Sequence, residues 1–533
     1  MWVKTEVLDQ FLADLNKTGD IQRKVLADIL RRNVGCGFGR NHAFDDITTP
    51  QDYAKRIPIQ RYDDIALAIQ TAARTGKSSL MSETPVMFEQ TGGTSGSKLI
   101  PYTATGLSAI QTGLHAWLAD LERARPNAFS GKQYWSISPA MRGKSFTEHG
   151  TPIGLESDAN YLGAEIGAKL SSALAVPPAV AQCASIDEWQ LTSLFYLLSS
   201  ADLSLISVWS PSFLIALLDA AQAHRDTLIS AIRFGVPPIS GLNWPELIAN
   251  PIRASRVEQA LATPIPDCHA LWPRLDTISC WTDGNAASYI PILKQYFPQA
   301  YIQGKGLLST EALITVPIES LNQTDHWPVL SPRSAYYEFV DEVTGRAHTA
   351  DALDLNANYR LLLTTYNGLY RYDIGDRVCV KGYYGNAPQL EFIGRAGYVS
   401  DLVGEKLDDA FVCTQLSRLD NQLNRAFRLL VPITSAPIPH YALIVDASAI
   451  DCGTTAKLAE QVDAALCANP QYRYARQIGQ LSSVCIRRVE KAGDRYIDYC
   501  LSKGQLLGDI KPVALRIESE WNSQFPAVDQ LTP

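Results

Sequence analysis

The sequence predicts an α/β protein in two parts: a large N-terminal α/β domain with mostly parallel sheets and a β-rich subdomain, and a smaller mobile C-terminal α+β domain. Three observations carry this. Apolar strand-like runs alternate with helical runs through the middle of the chain, the rhythm of a mostly parallel sheet. After residue 335 the pattern changes to short strands and hairpin turns. The last stretch again mixes strand and helix, on a smaller scale. A chain of 533 residues exceeds the roughly 250–300 that one core serves. The border is placed near Gly397, giving domains 1–397 and 398–533.

Taken in order, residues 7–35 read as amphipathic helix, with Leu8, Phe11, Leu12 and Leu15 and then Val25, Leu26, Ile29 and Leu30 at helical spacing. Pro58 to Ile65 leads into a second helix. A Gly/Ser/Thr-rich loop at 91–97 precedes a helix from about 104 to 123. Leu203–Trp209 is a buried strand, followed by a helix with Ser210 as cap and Pro211 in the first position. Thr277–Trp281 is the next strand, then a helix over 286–296, then the strand Ala300–Gln303. Leu361–Tyr366 meets Asn367-Gly368, a two-residue hairpin signal. Arg377–Lys381 and Gln389–Ile393 are further strands. The C-terminal part offers strands at 441–446 and 484–489 around a helix near 455–467. No internal repeat or low-complexity segment is visible.

Composition narrows the function. Hydrophobic residues make up 46% and charged residues 19%, an ordinary globular mix. A net charge of −8 argues against a nucleic-acid or anionic-membrane partner. The ten cysteines contain no C-x-x-C pair, so neither a zinc ribbon nor a thioredoxin-type motif is expected. The eight histidines show no metal-ligand spacing. Met1–Val7 has no apolar signal core. The run Leu203–Leu218 is broken by Ser210-Pro211-Ser212 and is too short to span a bilayer. A cytoplasmic protein with reduced thiols is expected.

The most informative stretch runs from Glu89 to Thr103. Gly92, Gly93 and Gly96 let backbone N–H groups converge on one point, an anion nest. Thr91, Thr94 and Ser95 add hydroxyls and Lys98 a cation, a set that suits a triphosphate. Rival motifs fail. Gly76-Lys77-Ser78 and Gly143-Lys144-Ser145 lack the first glycine of a Walker A loop, having Thr71 and Ser138 there. Gly93–Ser97 is not a hydrolase elbow, because it ends in serine. Gly304-Lys305-Gly306 has Ser309 where a dinucleotide fingerprint needs its last glycine. The alternative for such a cluster is a plain surface loop.

Thr91–Lys98 with Pro101 resembles the phosphate loop of the adenylate-forming superfamily of acyl-CoA synthetases, nonribosomal adenylation domains and luciferases. Within it the chain looks like a bacterial member of the Gretchen Hagen three family of acyl acid amido synthetases. The resemblance covers nearly the whole chain. It includes Ile57-Pro58-Ile59 with Tyr62–Ile65, then Leu307–Glu311, Tyr370–Asp376, Gly394-Arg395, Gly404–Leu407, Lys503-Gly504-Gln505 and Lys511-Pro512. The order and spacing of these blocks are more specific than any one of them.

The resemblance implies ATP and Mg2+ as cofactors, and roles for single residues. Glu311 would ligate Mg2+, a task suited to a loop carboxylate, with Ser309 and Thr310 touching the nucleotide. The alternative is an exposed loop glutamate. Asp376, placed between two strands, would accept hydrogen bonds from both ribose hydroxyls, against a turn aspartate bonded to its own backbone. Arg395 would contact ribose or phosphate. Lys511 would meet the charge on the α-phosphate, with Lys503 and Lys406 as competitors. Gly397 is the expected hinge. Two departures stand out. Leu307 and Leu308 occupy the place where the superfamily often has a tyrosine against adenine, so aliphatic contacts, Trp281 or Tyr301 would hold the base. Trp281–Gly284 replaces a Thr-Gly pair. His115 and Trp117 are pocket candidates or ordinary helix residues. Arg123 and Arg125 would bind a substrate carboxylate or simply close a helix.

The implied reaction joins ATP and a carboxylic acid into acyl-AMP and pyrophosphate, then transfers the acyl group to an amine, in the family an amino acid. An acyl-CoA ligase and a non-catalytic nucleotide-binding relative are the alternatives. Neither nucleic acid nor membrane is an expected partner.

Overall fold

The computed structural model describes residues 2–91, 98–135, 145–154, 161–239, 245, 247–321, 327–395, 399–419, 426–505, 507, 510–511 and 513–528. The chain divides into two compact units, one of residues 1–282 and 294–392, the other of 283–293 and 393–533.

The first unit opens with two helices where one was expected: α1 (Thr5–Leu15) and α2 (Thr18–Asn33). They separate because their apolar faces serve different cores. Leu8, Phe11 and Leu15 pack with Trp117 and Leu121, whereas Ile21, Val25 and Ile29 pack with Tyr53 and Tyr370. After two short helices, Gly37–Asn41 and Pro50–Arg56, comes the longer α3 (Tyr62–Thr75). Then comes a hairpin of β1 (Met87–Thr91) and β2 (Lys98–Tyr102), antiparallel, with Thr91 opposite Lys98 at the end where residues 92–97 connect the strands. Gly92, Gly93, Thr94, Ser95 and Gly96 lie outside the described residues. The hairpin was not legible beforehand, because Glu89-Gln90-Thr91 and Pro101 carry little strand signal. Helix α4 (Ala104–Ala124) starts at Thr103, whose hydroxyl accepts from the Gly106 N–H at 2.9 Å.

The predicted parallel sheet is present. Its strands β3 (Lys132–Trp135), β4 (Leu203–Ser207), β5 (Thr277–Cys280) and β6 (Tyr301–Gly304) lie in that order, all parallel. After β4, Pro211 stands in the first turn of the helix Pro211–Ala223. Ser210 does not cap it as expected, because its hydroxyl pairs with that of Ser212 at 2.6 Å. The helix expected over 286–296 is a 3-10 turn, Gly284–Tyr289, then a short α-helix, Ile290–Tyr296.

Beyond residue 335, β7 (Tyr336–Asp341), β8 (Asn358–Thr364), β9 (Tyr372–Tyr384) and β10 (Ala387–Arg395) lie side by side in a seven-stranded sheet. Asn367-Gly368 does not make the two-residue hairpin that its sequence advertises, since residues 365–371 separate β8 from β9. Asn367 is used elsewhere: its Oδ1 accepts from the Thr103 N–H at 2.9 Å, fixing this loop to the start of α4. Arg371 leaves the loop with φ of 45°. Its buried guanidinium donates to Glu338 at 2.9 Å and to the carbonyls of Ala54 and Ile57 at 2.8 and 2.9 Å.

In the second unit, α5 (Asp409–Ser417), β11 (Arg428–Ile433), β12 (His440–Asp446), α6 (Thr455–Leu466), β13 (Cys485–Val489) and α7 (Ala492–Ser502) make an α+β fold. The central strand β12 runs antiparallel to β11 and parallel to β13. Alternate residues of β12 serve opposite cores. Leu443 and Val445 pack with Leu458, Val462 and Leu466 of α6, while Ala442 and Ile444 pack with Tyr496 and Cys500 of α7. Strand β11 was missed because Pro432 interrupts its apolar run. All ten cysteines are free thiols. No helix of the described residues is long and apolar enough to cross a membrane.

Candidate nucleotide and acid site

Tyr102, the last residue of β2, donates its hydroxyl to the carbonyl of Thr310 and so ties the Ser309–Glu311 segment to the hairpin that carries the glycine loop. Ser309 shapes that segment. Its N–H donates to the Ala312 carbonyl at 3.0 Å, and its hydroxyl accepts from the Ala312 N–H at 3.2 Å, closing a tight turn that presents Thr310 and Glu311. Glu311 is 7% exposed, which removes the reading of an exposed loop glutamate. A second carboxylate stands near it. Burial first, and then the charges of Glu89 and Glu311, push the Tyr102 phenol well above its ordinary range. Tyr161 donates to Glu89 at 2.9 Å. Glu89, Tyr102 and Tyr161 were not singled out by the sequence, because their convergence depends on the hairpin. Lys98 places its ammonium 5.4 Å from the ring of Tyr62, whose hydroxyl accepts from the Leu99 N–H at 3.0 Å. The side chain of Thr91 lies outside the described residues.

Asp376 does not lie between two strands, as expected, but within β9, so the turn-aspartate alternative fails with it. In β9 the side chains of Tyr372, Ile374, Asp376 and Val378 fall on one buried row. Asp376 is thus a carboxylate, 4% exposed, in a row otherwise apolar. Its acidic neighbour Asp373, on the other face, has a structural task, paired with Arg360 at 3.0 Å.

Arg395 and Lys511 belong to the second unit. Arg395 ends β10 and is exposed. Lys511 is also exposed, and its backbone carbonyl accepts from the Tyr496 hydroxyl at 2.8 Å. Of its competitors, Lys503 pairs with Glu520 at 3.3 Å and lies 5.1 Å from the Tyr499 ring, a local task of its own. Lys406 adopts φ of 47°, and its carbonyl accepts from Asn469 at 3.2 Å. Gly397, the expected hinge, lies outside the described residues, as does Pro512.

The lesser candidates resolve into packing. His115 reaches the Leu162 carbonyl at 2.8 Å. Trp117 donates to Gln303 at 2.9 Å. Arg125 pairs with Asp276 at 3.0 Å and covers the Tyr301 ring at 4.8 Å. Arg123 donates to Ser320 at 2.6 Å. Both arginines therefore close the end of α4 instead of awaiting a substrate. Tyr301 donates to Glu319 at 2.7 Å from the first residue of β6, the end of a parallel strand opposite to that where ligands bind. Leu307 packs into the core of the large sheet.

The donor set fits a nucleotide with a hard cation. No group of three or more His, Cys, Asp or Glu among the described residues could cage a metal. Mg2+ needs no cage: it takes one or two carboxylates and completes its shell with phosphate oxygens and water.

This α/β architecture, with a parallel sheet, a seven-stranded sheet and a smaller α+β unit, is that of an adenylate-forming ligase. The chain belongs to the GH3 family. Residues 7–302 match the GH3 family N-terminal domain, 328–395 the GH3 family central domain and 411–519 the GH3 family C-terminal domain. Indole-3-acetic acid-amido synthetase GH3.4 of Arabidopsis thaliana is 23% identical, over 94% of this chain and 90% of its own length. Probable indole-3-acetic acid-amido synthetase GH3.7 of Oryza sativa subsp. japonica is 25% identical, over 93% and 90%. Among solved structures, the AtGH3.15 acyl acid amido synthetase in complex with 2,4-DB superposes with a TM-score of 0.86 at 22% identity, covering 98% of this chain and 95% of that one. A 2-hydroxyisobutyryl-CoA ligase in its postadenylation state gives 0.57 at 12% identity, over 94% and 91%.

Proposed function

We propose that this protein is an acyl acid amido synthetase: it activates a carboxylic acid with ATP, releases pyrophosphate, and passes the acyl group from the acyl-adenylate to an amine, most simply that of an amino acid. The observation that carries the reading is the pair of buried carboxylates, Glu311 at 7% and Asp376 at 4% exposure, in a chain whose N-terminal, central and C-terminal segments all match one ligase family. The plant relatives' names support the amide product.

In this reading Gly92, Gly93, Thr94, Ser95 and Gly96, with Thr91 and Lys98, cradle the phosphates. Thr310 lies beside the nucleotide on the turn shaped by Ser309. Asp376 accepts from the ribose hydroxyls, and Arg395 assists at ribose or phosphate. Glu311 would hold Mg2+, which would supply charge neutralisation at the phosphates. Attack of the acid's carboxylate oxygen on the α-phosphorus builds negative charge there, and Lys511 meets it, a gain confined to the transition state. The amine then displaces AMP at the acyl carbon. Division near residue 397 into a catalytic domain and a C-terminal lid is part of this proposal, as is a cytoplasmic bacterial setting; the ten free thiols support the cytoplasmic part.

Pyrophosphate–ATP exchange across aryl, indolyl and fatty acids tests the first step. Incubation with an amino-acid pool or with coenzyme A, read by mass spectrometry, tests the second. Absence of acid-dependent exchange across the whole panel sinks the proposal, and a thioester in place of an amide corrects its second half.

A further inference from the structure

Gly304-Lys305-Gly306 is the sequence motif that the function above leaves without a task. In the structure it leaves the carboxyl end of β6, beside the carboxyl ends of the other three parallel strands. Alternation and register put one set of side chains on one face of that sheet. Moving along the strands, Trp135, Ser207, Ser279 and Gln303 form a row. One step further stand Trp209, Trp281 and Lys305, held together by backbone bonds from the Trp281 N–H to the Trp209 carbonyl and from the Lys305 N–H to the Cys280 carbonyl, both 2.8 Å.

The Lys305 ammonium lies 4.8, 5.0 and 5.7 Å from the ring centroids of Trp209, Trp117 and Trp135. It donates to Ser207 Oγ at 2.8 Å. Trp281 packs on Trp209 with centroids 5.7 Å apart. Three of the chain's ten tryptophans therefore surround one cation, and a fourth packs on one of them. The box is rigid. Trp117 is fixed by Gln303 at 2.9 Å, and Gln303 in turn donates to Glu319 at 3.1 Å. A Cβ on Gly304 would stand 2.4 Å from Thr282 Oγ1, and one on Gly306 2.1 Å from the Thr315 carbonyl, so the two glycines let the backbone on either side of Lys305 seat closely.

We propose that Lys305 is the residue that receives the carboxylate of the acid substrate, with the indoles of Trp209 and Trp281 as a wall for its apolar body. The proposal rests on the function argued above. Three physical reasons support it. Ligands of open parallel sheets bind outside the carboxyl ends of the strands, and this is that edge. Ring faces favour the ammonium form, and an ammonium gives a carboxylate strong, charge-assisted hydrogen bonds. The same rings leave Lys305 only partly exposed, so an anion beside it gains more than it would at an open surface. The acid is thereby bound and oriented before activation, a contribution to ground-state binding more than to the chemical step.

The test compares wild type with Lys305→Met and Lys305→Arg in pyrophosphate exchange. Loss of a charge-assisted hydrogen bond predicts a roughly 10- to 100-fold rise in the KM for the acid in Lys305→Met. The KM for ATP should stay within about two-fold, and Lys305→Arg should recover part of the loss. A direct readout without ATP is quenching of tryptophan fluorescence by benzoate, phenylacetate and hexanoate. Wild type should titrate, and Lys305→Met should do so only at much higher acid concentrations. An unchanged acid KM overturns the proposal. So does an equal rise in both KM values with a lower Tm, which marks a packing role. If wild type shows no exchange but titrates with an acid in a Lys305-dependent way, the acid site stands and the ligase reading falls. If it neither exchanges nor titrates, both fall.

Discussion

Replacing Asp376 by asparagine keeps the shape of the side chain and removes its charge. At 4% exposure the carboxylate is shielded from water, so each hydrogen bond that it accepts from a ribose hydroxyl is of the charged kind. Two such bonds, exchanged against hydration of the free nucleotide, are worth about 3 kcal/mol together, or roughly 150-fold in Kd. Asparagine can accept through its one oxygen, so Asp376→Asn should weaken ATP binding by up to that factor, and Asp376→Ala by the whole of it. Stability should move little, within ~1 kcal/mol, because asparagine keeps the volume of the side chain and one accepting oxygen. Titration calorimetry with Mg-ATP gives the first quantity and thermal unfolding the second. Asp373→Asn is the internal contrast. It leaves Arg360, 3.0 Å away, without its acid, and should lower Tm by the equivalent of a few kcal/mol while the folded enzyme binds ATP normally. If Asp376→Asn instead lowers Tm and leaves the Kd for ATP unchanged, Asp376 is a structural acid and the ribose assignment is refuted.

Three further outcomes are expected. Lys511→Ala should lower kcat for pyrophosphate exchange by roughly 10²–10³-fold, or about 3–4 kcal/mol, with ATP affinity retained; a wild-type rate would mean that another lysine does this work. Arg371→Met should cost about 3–5 kcal/mol in chemical denaturation, because Glu338 and the carbonyls of Ala54 and Ile57 lose their shared donor; an unchanged midpoint would contradict it. Burial, opposed by a bond with the Ile438 backbone and aided by Arg487, lowers the pKa of His440 below its usual 6.5. The unfolded chain then binds the proton more readily, so this part of the stability is complete above pH 6.5 and is lost as the pH falls below it. His440→Gln should flatten that decline in Tm profiles taken from about pH 7.5 to about pH 5.

The parallel sheet was legible because β4, β5 and β6 are short apolar runs with helical sequence between them. What escaped was set by partners distant in sequence. Periodicity through 7–35 could not show that Leu15 and Ile21 belong to different cores. Asn367-Gly368 has the composition of a tight turn, but Asn367 is claimed by Thr103, 264 positions away. The site divided in the same way. Glu311 and Asp376 were expected in the site by resemblance alone, while their burial needed the strands. Lys305 was set aside as a failed fingerprint, since nothing local announces that residues 117, 135 and 209 surround it.

The second unit is not a continuous stretch of chain. Residues 283–293 belong to it although both their neighbours in sequence belong to the first, and the 3-10 turn Gly284–Tyr289 packs on α5. Modularity is therefore limited. A C-terminal piece cut at 393 and grafted onto a related enzyme would arrive without the turn that covers one side of its own helix, and the recipient would supply its own version. Recombination among such enzymes should succeed only when the exchanged parts include 283–293 or when the two parents agree along that turn. The lineage is then constrained to vary this turn and the C-terminal unit in concert, however far apart they stand in the gene.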